Sequence, residues 1–533
     1  MKKSFGSFHT KRLNKSPQIS DQTSEMKEST KQDGEIDNSK KLSLDLNTNL
    51  ANIKQRFAKC SDLVFREFSI FQTQKAVLIF IDGLNDSNQL ELHLLKQLMS
   101  TENILLRGSS LKKLLEQFVT VAQTTEVQTI EELLEHVLSG EAVLLADGET
   151  SAIALSVKKW DHRSVEEPLS EAVIRGPRDG FTESIRTNTA LLRRRIRTEN
   201  LKMESMKIGR VTKTDVIIAF IDGIVTDSVV TEIKSRLERI DIDGVLESGY
   251  IEELIEDNPF SPFPQFQNTE RPDVVAANLL EGKVAIFVDG TPFVLITPIT
   301  LYGLLQASED YYERALISTM LRWIRFIFFL IALLLPSLYI AITTYHQEML
   351  PTNLLLSVAS ARESSPFPAF VEALIMEITF EALREAGVRL PRPVGSAISI
   401  VGALVIGQAA VQAGIVSAPM VIVVSITGIA SFTIPRFNLG ISVRMLRFPI
   451  MIMAGILGLF GIVIGLLIIL IHLSKLRSLG VPYLSPMAPL TFENLKDVLV
   501  RAPHWALGLR PRVFGYQNPQ RIAPGLRPRP GKK

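Results

Sequence analysis

The chain has 533 residues, with 58 Lys and Arg against 56 Asp and Glu and a formal net charge of +2. That length predicts more than one domain, and the balance of charge excludes a chain that is polycationic or polyanionic throughout. The single cysteine, Cys60, excludes an intrachain disulfide and a thiolate metal cluster, and reads as a small hydrophobe near a helix.

Residues 1–50 are rich in Lys, Ser, Thr, Asn and Asp, lack periodicity, and are expected to be disordered. They contain no apolar core of a signal peptide, so the long polar region that follows is expected to stay in the cytosol. An internal repeat comes next. Lys75–Gly83 is a buried-strand run ending in Asp82-Gly83, and Lys213–Gly223 repeats it, ending in Asp222-Gly223. Each copy continues through a helical stretch to a second strand, ending in Asp147-Gly148 or Asp289-Gly290. The two aspartates lie 65 residues apart in one copy and 67 in the other. Two related α/β subdomains are therefore expected, over residues 51–165 and 213–320, each a sheet with helices against it.

The Asp-Gly pairs fit turns, because both residues tolerate positive φ; the sharper alternative is carboxylate ligands at strand ends. No second cluster of acids or histidines accompanies them, and the seven histidines lack metal-ligand spacing. Walker A, Gly-x-Ser-x-Gly and His-Glu-x-x-His motifs are absent from the sequence. No enzymatic activity, cofactor or metal site is expected.

Residues 166–212 read as an Arg-rich helical linker. Phe181, Ile185, Leu192 and Ile196 mark an apolar face, and Arg186, Arg193, Arg194, Arg195 and Arg197 spread over the others. Interleaved aromatics are lacking, so nucleic acid is not an expected partner. The arginines suit an acidic partner or anionic headgroups; the plainer alternative is a solvated helix salt-bridged to the subdomains.

Three runs carry no charged side chain: Phe326–Tyr345, Val394–Pro435 and Phe448–Leu473. One bilayer crossing takes about 20 apolar residues. Four spans are expected, at 326–345, 394–412, 418–434 and 450–472, within an all-α polytopic membrane domain over 321–475. Arg314, Arg322 and Arg325 before the first span, and a basic Pro-rich tail over 476–533, place both termini in the cytosol. One conflict remains: Arg436, Arg444 and Arg447 then fall on the outer side.

Gly395, Gly402 and Gly407, and then Gly458, Gly461 and Gly465, recur at near-helical spacing. Such stripes let membrane helices approach closely, in a bundle or an oligomer; the alternative is lipid-facing glycine. In the acidic segment 366–387, Glu377, Glu381 and Glu385 share one helical stripe. They either ring a cation pathway in a homo-oligomer or sit solvated on an interfacial amphipathic helix.

The motif Arg175-Gly-Pro-Arg-Asp-Gly-Phe, continuing to Arg197, is one of several in a fixed order. It is followed by Ser261-Pro-Phe-Pro-Gln265, Glu270-Arg-Pro-Asp273, Glu281–Gly290, Pro366-Phe-Pro368, Arg389–Gly395 and Gly480-Val-Pro-Tyr-Leu484. Together they resemble the A subunit of bacterial spore germination receptors, the GerA family, over roughly residues 60–490. The resemblance implies a nutrient receptor in the inner membrane of the endospore. It implies partners: a transporter-like B subunit that senses the nutrient, and a lipoprotein C subunit. It also implies that the A subunit oligomerises into a cation-conducting pore. A non-conducting scaffold that relays the signal is the alternative. Residues 1–50 and the tail after Arg501 lie outside the strong match.

Overall fold

The computed structural model describes residues 41–99, 124–158 and 405–492, and most of 167–389 and 494–528. It contains two α/β repeats followed by an all-helical region. The first repeat opens with α1 (Leu46–Arg56), β1 (Leu63–Ile70) and β2 (Gln74–Ile81), and continues through β3 (Thr124–Val127), α2 (Ile130–Leu138), β4 (Ala142–Ala146) and β5 (Ala152–Leu155). The second has α3 (Ile185–Arg195), β6 (Leu201–Ile208), β7 (Thr214–Ile221), α4 (Asp227–Glu238), α5 (Ser248–Ile255), β8 (Gln267–Thr269), α6 (Pro272–Leu280), β9 (Val284–Val288) and β10 (Val294–Thr297). Both sheets are antiparallel and have the same order, β1-β2-β4-β5-β3 and β6-β7-β9-β10-β8.

Each sheet is covered on both faces, which is why its central strands are unbroken apolar runs. Val77, Ile79 and Ile81 pack with α1 and α2, whereas Ala76 and Leu78 on the same strand pack with Leu90, Leu94 and Leu98. In the second repeat, Ala219 and Ile221 meet α3 and α6, and Val216, Ile218 and Phe220 meet α4 and α5.

The Asp-Gly pairs are turns with a second task. Gly83, Gly148, Gly223 and Gly290 take φ of 83°, 82°, 76° and 86°, which glycine adopts without a Cβ clash. The Asp147 carboxylate accepts from the Leu46 amide at 3.2 Å, and Asp289 accepts from the Ile185 amide at 3.1 Å. Each thus satisfies an otherwise unpartnered amide at a helix start. Asp82 and Asp222 also correspond: their amides donate to the carbonyls of Asp62 and Asn200, both at 2.8 Å.

Two expected boundaries move. Helix α3 is not a linker but the opening helix of the second repeat. Asn188 there closes a ring with Thr182 as Asn49 in α1 does with Ser43. Within the expected disordered segment 1–50, residues 1–40 lie outside the described residues, whereas Leu42, Leu46 and Leu50 are buried in the first core. Leu46, Leu50 and Ile53 recur at i, i+4 and i+7 on one face of α1, and Leu42, ahead of the helix, is held by its amide's bond to the Gln128 carbonyl at 3.1 Å.

The helical region comprises α7 (Ala315–Thr344), α8 (Thr352–Arg362), α9 (Ala369–Arg389), α10 (Ala418–Phe432) and α11 (Phe437–Lys475). Helices α7, with 30 residues, and α11, with 39, are long and apolar enough to cross a membrane; α10, with 15, is a shorter apolar helix. Helix α11 is not one rod. At Gly458 the backbone leaves the helix, with φ 64° and ψ −141°. Beyond it the chain folds back: a Cβ on Gly465 would lie 3.3 Å from Ile450 Cγ1, and one on Gly461 would strike the Met453 carbonyl. Residues fifteen apart in a straight helix would be about 22 Å apart. Ser442 and His472, one on each leg, meet the same loop at Ser261 and Pro262. The run expected as one span at 450–472 therefore straddles the tip of a helical hairpin at Gly458, with its first residues on one leg and the rest on the other. The first leg consequently starts at the repeat end of the bundle, where Arg436 pairs with Glu171.

Candidate functional site

Two connected features stand out: a charged cluster inside the helical bundle, and a junction that fastens the second repeat to the hairpin.

The cluster is built from α9 and the first leg of α11. Glu377 is fully buried and accepts from Nη1 of Arg447, which is 1% exposed. Arg447 Nε donates to the Ala332 carbonyl on α7 at 2.8 Å, so three helices meet at this pair. One turn along, Glu381 pairs with Arg444 at 3.0 Å and with Arg384 at 3.5 Å. Arg384 also donates to Ser431 at 2.7 Å and lies over the rings of Phe432 and Phe380. Glu385 pairs with Arg389 at 2.5 Å on the surface. Glu372, fully buried, accepts from the Ser417 hydroxyl at 2.8 Å and has Arg362 at 3.7 Å.

This corrects the expectation of a free carboxylate row. Glu377 and Glu381 face arginines of their own chain, because an unpaired carboxylate in an apolar interior is costly and a cation is within reach. The sequence signal was present: three arginines with no acid between Arg436 and Arg447 need acids from elsewhere.

Among the glycine stripes, Gly395 and Gly402 lie outside the described residues. Gly407 faces Val421, at 3.6 Å for a Cβ placed there. Gly458, Gly461 and Gly465 are buried where the two legs of the hairpin cross. The close approach they permit is thus within the chain.

The junction gathers several of the motifs noted in the sequence. In the loop Ser261–Gln265, the Ser261 hydroxyl meets His472 Nε2 at 2.8 Å, and Phe263 stacks on that imidazole. The Pro262 carbonyl accepts from Ser442, the Pro264 carbonyl from the Tyr483 hydroxyl at 2.8 Å, and the Gln265 carbonyl from Ser478 at 2.7 Å. Burial holds the Tyr483 phenol well above its ordinary range, so it stays a donor. Arg436, at the foot of the hairpin, pairs with Glu171, which also accepts from Thr269 at 2.8 Å. Arg271, fully buried, binds Asp273 at 2.8 Å and the carbonyls of Glu171 and Pro177. Where the chain enters α7, Asp310 holds Arg325 at 2.7 Å and Arg322 at 3.3 Å, and Asp497 of the tail holds Arg322 at 3.2 Å.

The arginines of α3 have separate fates. Arg193 is 1% exposed and binds Asp62 of the first repeat in a two-pronged pair at 2.9 and 3.0 Å. Arg186 pairs with Asp82, Arg195 with Asp179 at 2.6 Å, and Arg197 donates to the Arg194 carbonyl at 3.3 Å. The set is not a common surface for an acidic partner or headgroups; Arg186 and Arg193 tie the two repeats together. Among the described residues no group of His, Cys, Asp and Glu could hold a metal ion.

These features define a class: a tandem α/β repeat bolted through one loop and one arginine to an apolar helical bundle. The family described as Bacillus/Clostridium GerA spore germination protein matches residues 51–513. The chain is 52% identical to the uncharacterized membrane protein YfkQ of Bacillus subtilis, over 90% of this chain and 94% of that one. It is 47% identical to spore germination protein KA of Bacillus subtilis, over 92% and 90%. A solved N-terminal domain, from the A subunit of the Bacillus megaterium spore germinant receptor GerK3, is 43% identical. It covers 48% of this chain and 96% of that chain, with a TM-score of 0.40. The chain belongs to the GerA spore germination family and is a membrane-associated protein.

Proposed function

We propose that this chain is the A-type subunit of a nutrient receptor in the endospore inner membrane, and that it oligomerises into a ligand-gated cation channel that starts germination. Family membership supports the receptor role. The observation that carries the gating role is the junction. Ser261, Pro262 and Glu171 hold both feet of the hairpin, at His472, Ser442 and Arg436. A rotation of the second repeat therefore pulls directly on the membrane helices, a rigid-body switch of a known kind. In this reading the chain crosses the bilayer several times, both termini face the cytosol, it carries no enzymatic activity, and it works beside a transporter-like B subunit and a lipoprotein C subunit. The cation path runs between subunits, away from the neutralised Glu377.

The neutralised cluster favours a second reading, a non-conducting scaffold that relays the signal to another chain. Purified protein in detergent, sized by light scattering and then reconstituted into liposomes for cation flux, separates them. An oligomer with flux that Ser442→Val changes supports the channel. A monomer without flux refutes it and leaves the scaffold.

A further inference from the structure

A cleft of about 700 Å³ opens beside the first turn of α7, within the size range of small-ligand sites. Its wall includes Arg175, Arg314, Arg501, His504, Trp505 and one acid, Glu313. The charge there is mostly unspent. Arg175 reaches Glu313 only at 3.9 Å, and both are solvent-accessible. Arg314 is exposed and forms no ion pair among the described residues. Arg501 is only 3% exposed, yet its Nε has no hydrogen-bond partner. The rest of its guanidinium is fixed by the carbonyls of Tyr311 and Ala502 and by His504 at 2.8 Å.

The cleft lies where a bilayer surface should be. Leu316, two residues after Arg314, is 86% exposed, and Met320, Trp323, Ile327 and Leu330 continue the exposed apolar face along α7. Arg322 and Arg325 turn the other way, to Asp310. The tail adds exposed Leu499, Val500 and Trp505 beside it, and the Trp323 indole donates to the Leu499 carbonyl at 2.7 Å. Indoles at the edge of an apolar belt mark the headgroup level.

We propose that this cleft binds the phosphate headgroup of an anionic phospholipid, with the guanidinium groups of Arg175, Arg314 and Arg501 around the phosphate and the acyl chains along Leu316 and Met320. Guanidinium suits this task because it is always charged and its planar donors match phosphate oxygens. Bound lipid pins the tail, the start of α7 and the Arg175 loop to the membrane surface together.

Full-length protein in neutral detergent, mixed with phosphatidylglycerol or phosphatidylcholine and examined by native mass spectrometry, tests this. Phosphatidylglycerol should be retained and phosphatidylcholine lost. The Arg175→Gln/Arg314→Gln variant should bind phosphatidylglycerol roughly 30-fold more weakly, from about one charge-surface increment per arginine. The Arg175→Lys/Arg314→Lys variant should recover most of that loss, which separates charge from misfolding. Equal retention of both lipids, or an unchanged Gln variant, overturns the proposal. Displacement by equimolar glycerol phosphate overturns the lipid as source and assigns the cleft to a free phosphate.

Discussion

Arg447→Leu should be among the most destabilising single changes in the helical bundle. The substitution removes the guanidinium that faces Glu377 and the donor to the Ala332 carbonyl. It leaves a fully buried carboxylate with no cation and a helix carbonyl short of a partner. Removing one member of a buried pair costs about 3–5 kcal/mol, which shifts the folding equilibrium roughly 150- to 5,000-fold. Glu377→Leu should cost a similar amount, because it strands Arg447. The Glu377→Leu/Arg447→Leu variant removes both charges, so its cost should fall short of the sum by at least about 2 kcal/mol. Reversible unfolding in mixed detergent and dodecyl sulfate micelles measures all three. If the double variant equals the sum of the singles to within about 0.5 kcal/mol, the two groups are not coupled and the neutralised cluster is wrong.

The hairpin tip gives a second expectation: Gly458→Ala should cost about 1–3 kcal/mol in the same assay, because it holds φ 64°. Gly407→Ala, where a new Cβ meets only Val421 among the described residues, at 3.6 Å, should be close to neutral, and equal effects would refute the hairpin. Between the repeats, Asp62→Ala should lower thermal stability far more than Asp82→Asn. The first strands buried Arg193, whereas Arg186 is solvent-exposed, and such surface pairs contribute about 1 kcal/mol or less. A finding that Asp82→Asn is the worse of the two would revive a ligand role for the Asp-Gly turns. On α5, burial first, then Glu256 and Glu247, raise the Glu252 carboxyl to about 7; burial and Glu253 raise Glu256 to about 7. A raised carboxylate favours folding at low pH and loses that contribution as pH climbs from the ordinary value of 4.5 through 7. Wild type and Glu252→Gln/Glu256→Gln should therefore match near pH 4.5, with the variant becoming more stable toward pH 8. A gap that does not change with pH would show that these groups are not perturbed.

The sequence alone determined the elements whose signal is local. Lys75–Gly83 and Lys213–Gly223 announced duplicated strands because a strand buried on both faces must be apolar throughout and must end in residues that tolerate a turn. The apolar runs gave the helical region for the same reason, since apolar composition sets where a bilayer can be met. Tertiary structure decided what depends on partners distant in the chain. The arginines of α3 looked like one surface, yet Arg193 is spent on Asp62, 131 residues away. Glu377 and Glu381 looked like an open acidic row, yet Arg447 and Arg444 fill it from beyond α10. Gly458 looked like one member of a small-residue stripe, because composition records that glycine permits positive φ but not that the chain uses it. Only when the 442 and 472 ends met the loop at Ser261 did one apolar run become two legs. A charge is written in the sequence; the atom that neutralises it is chosen by the fold.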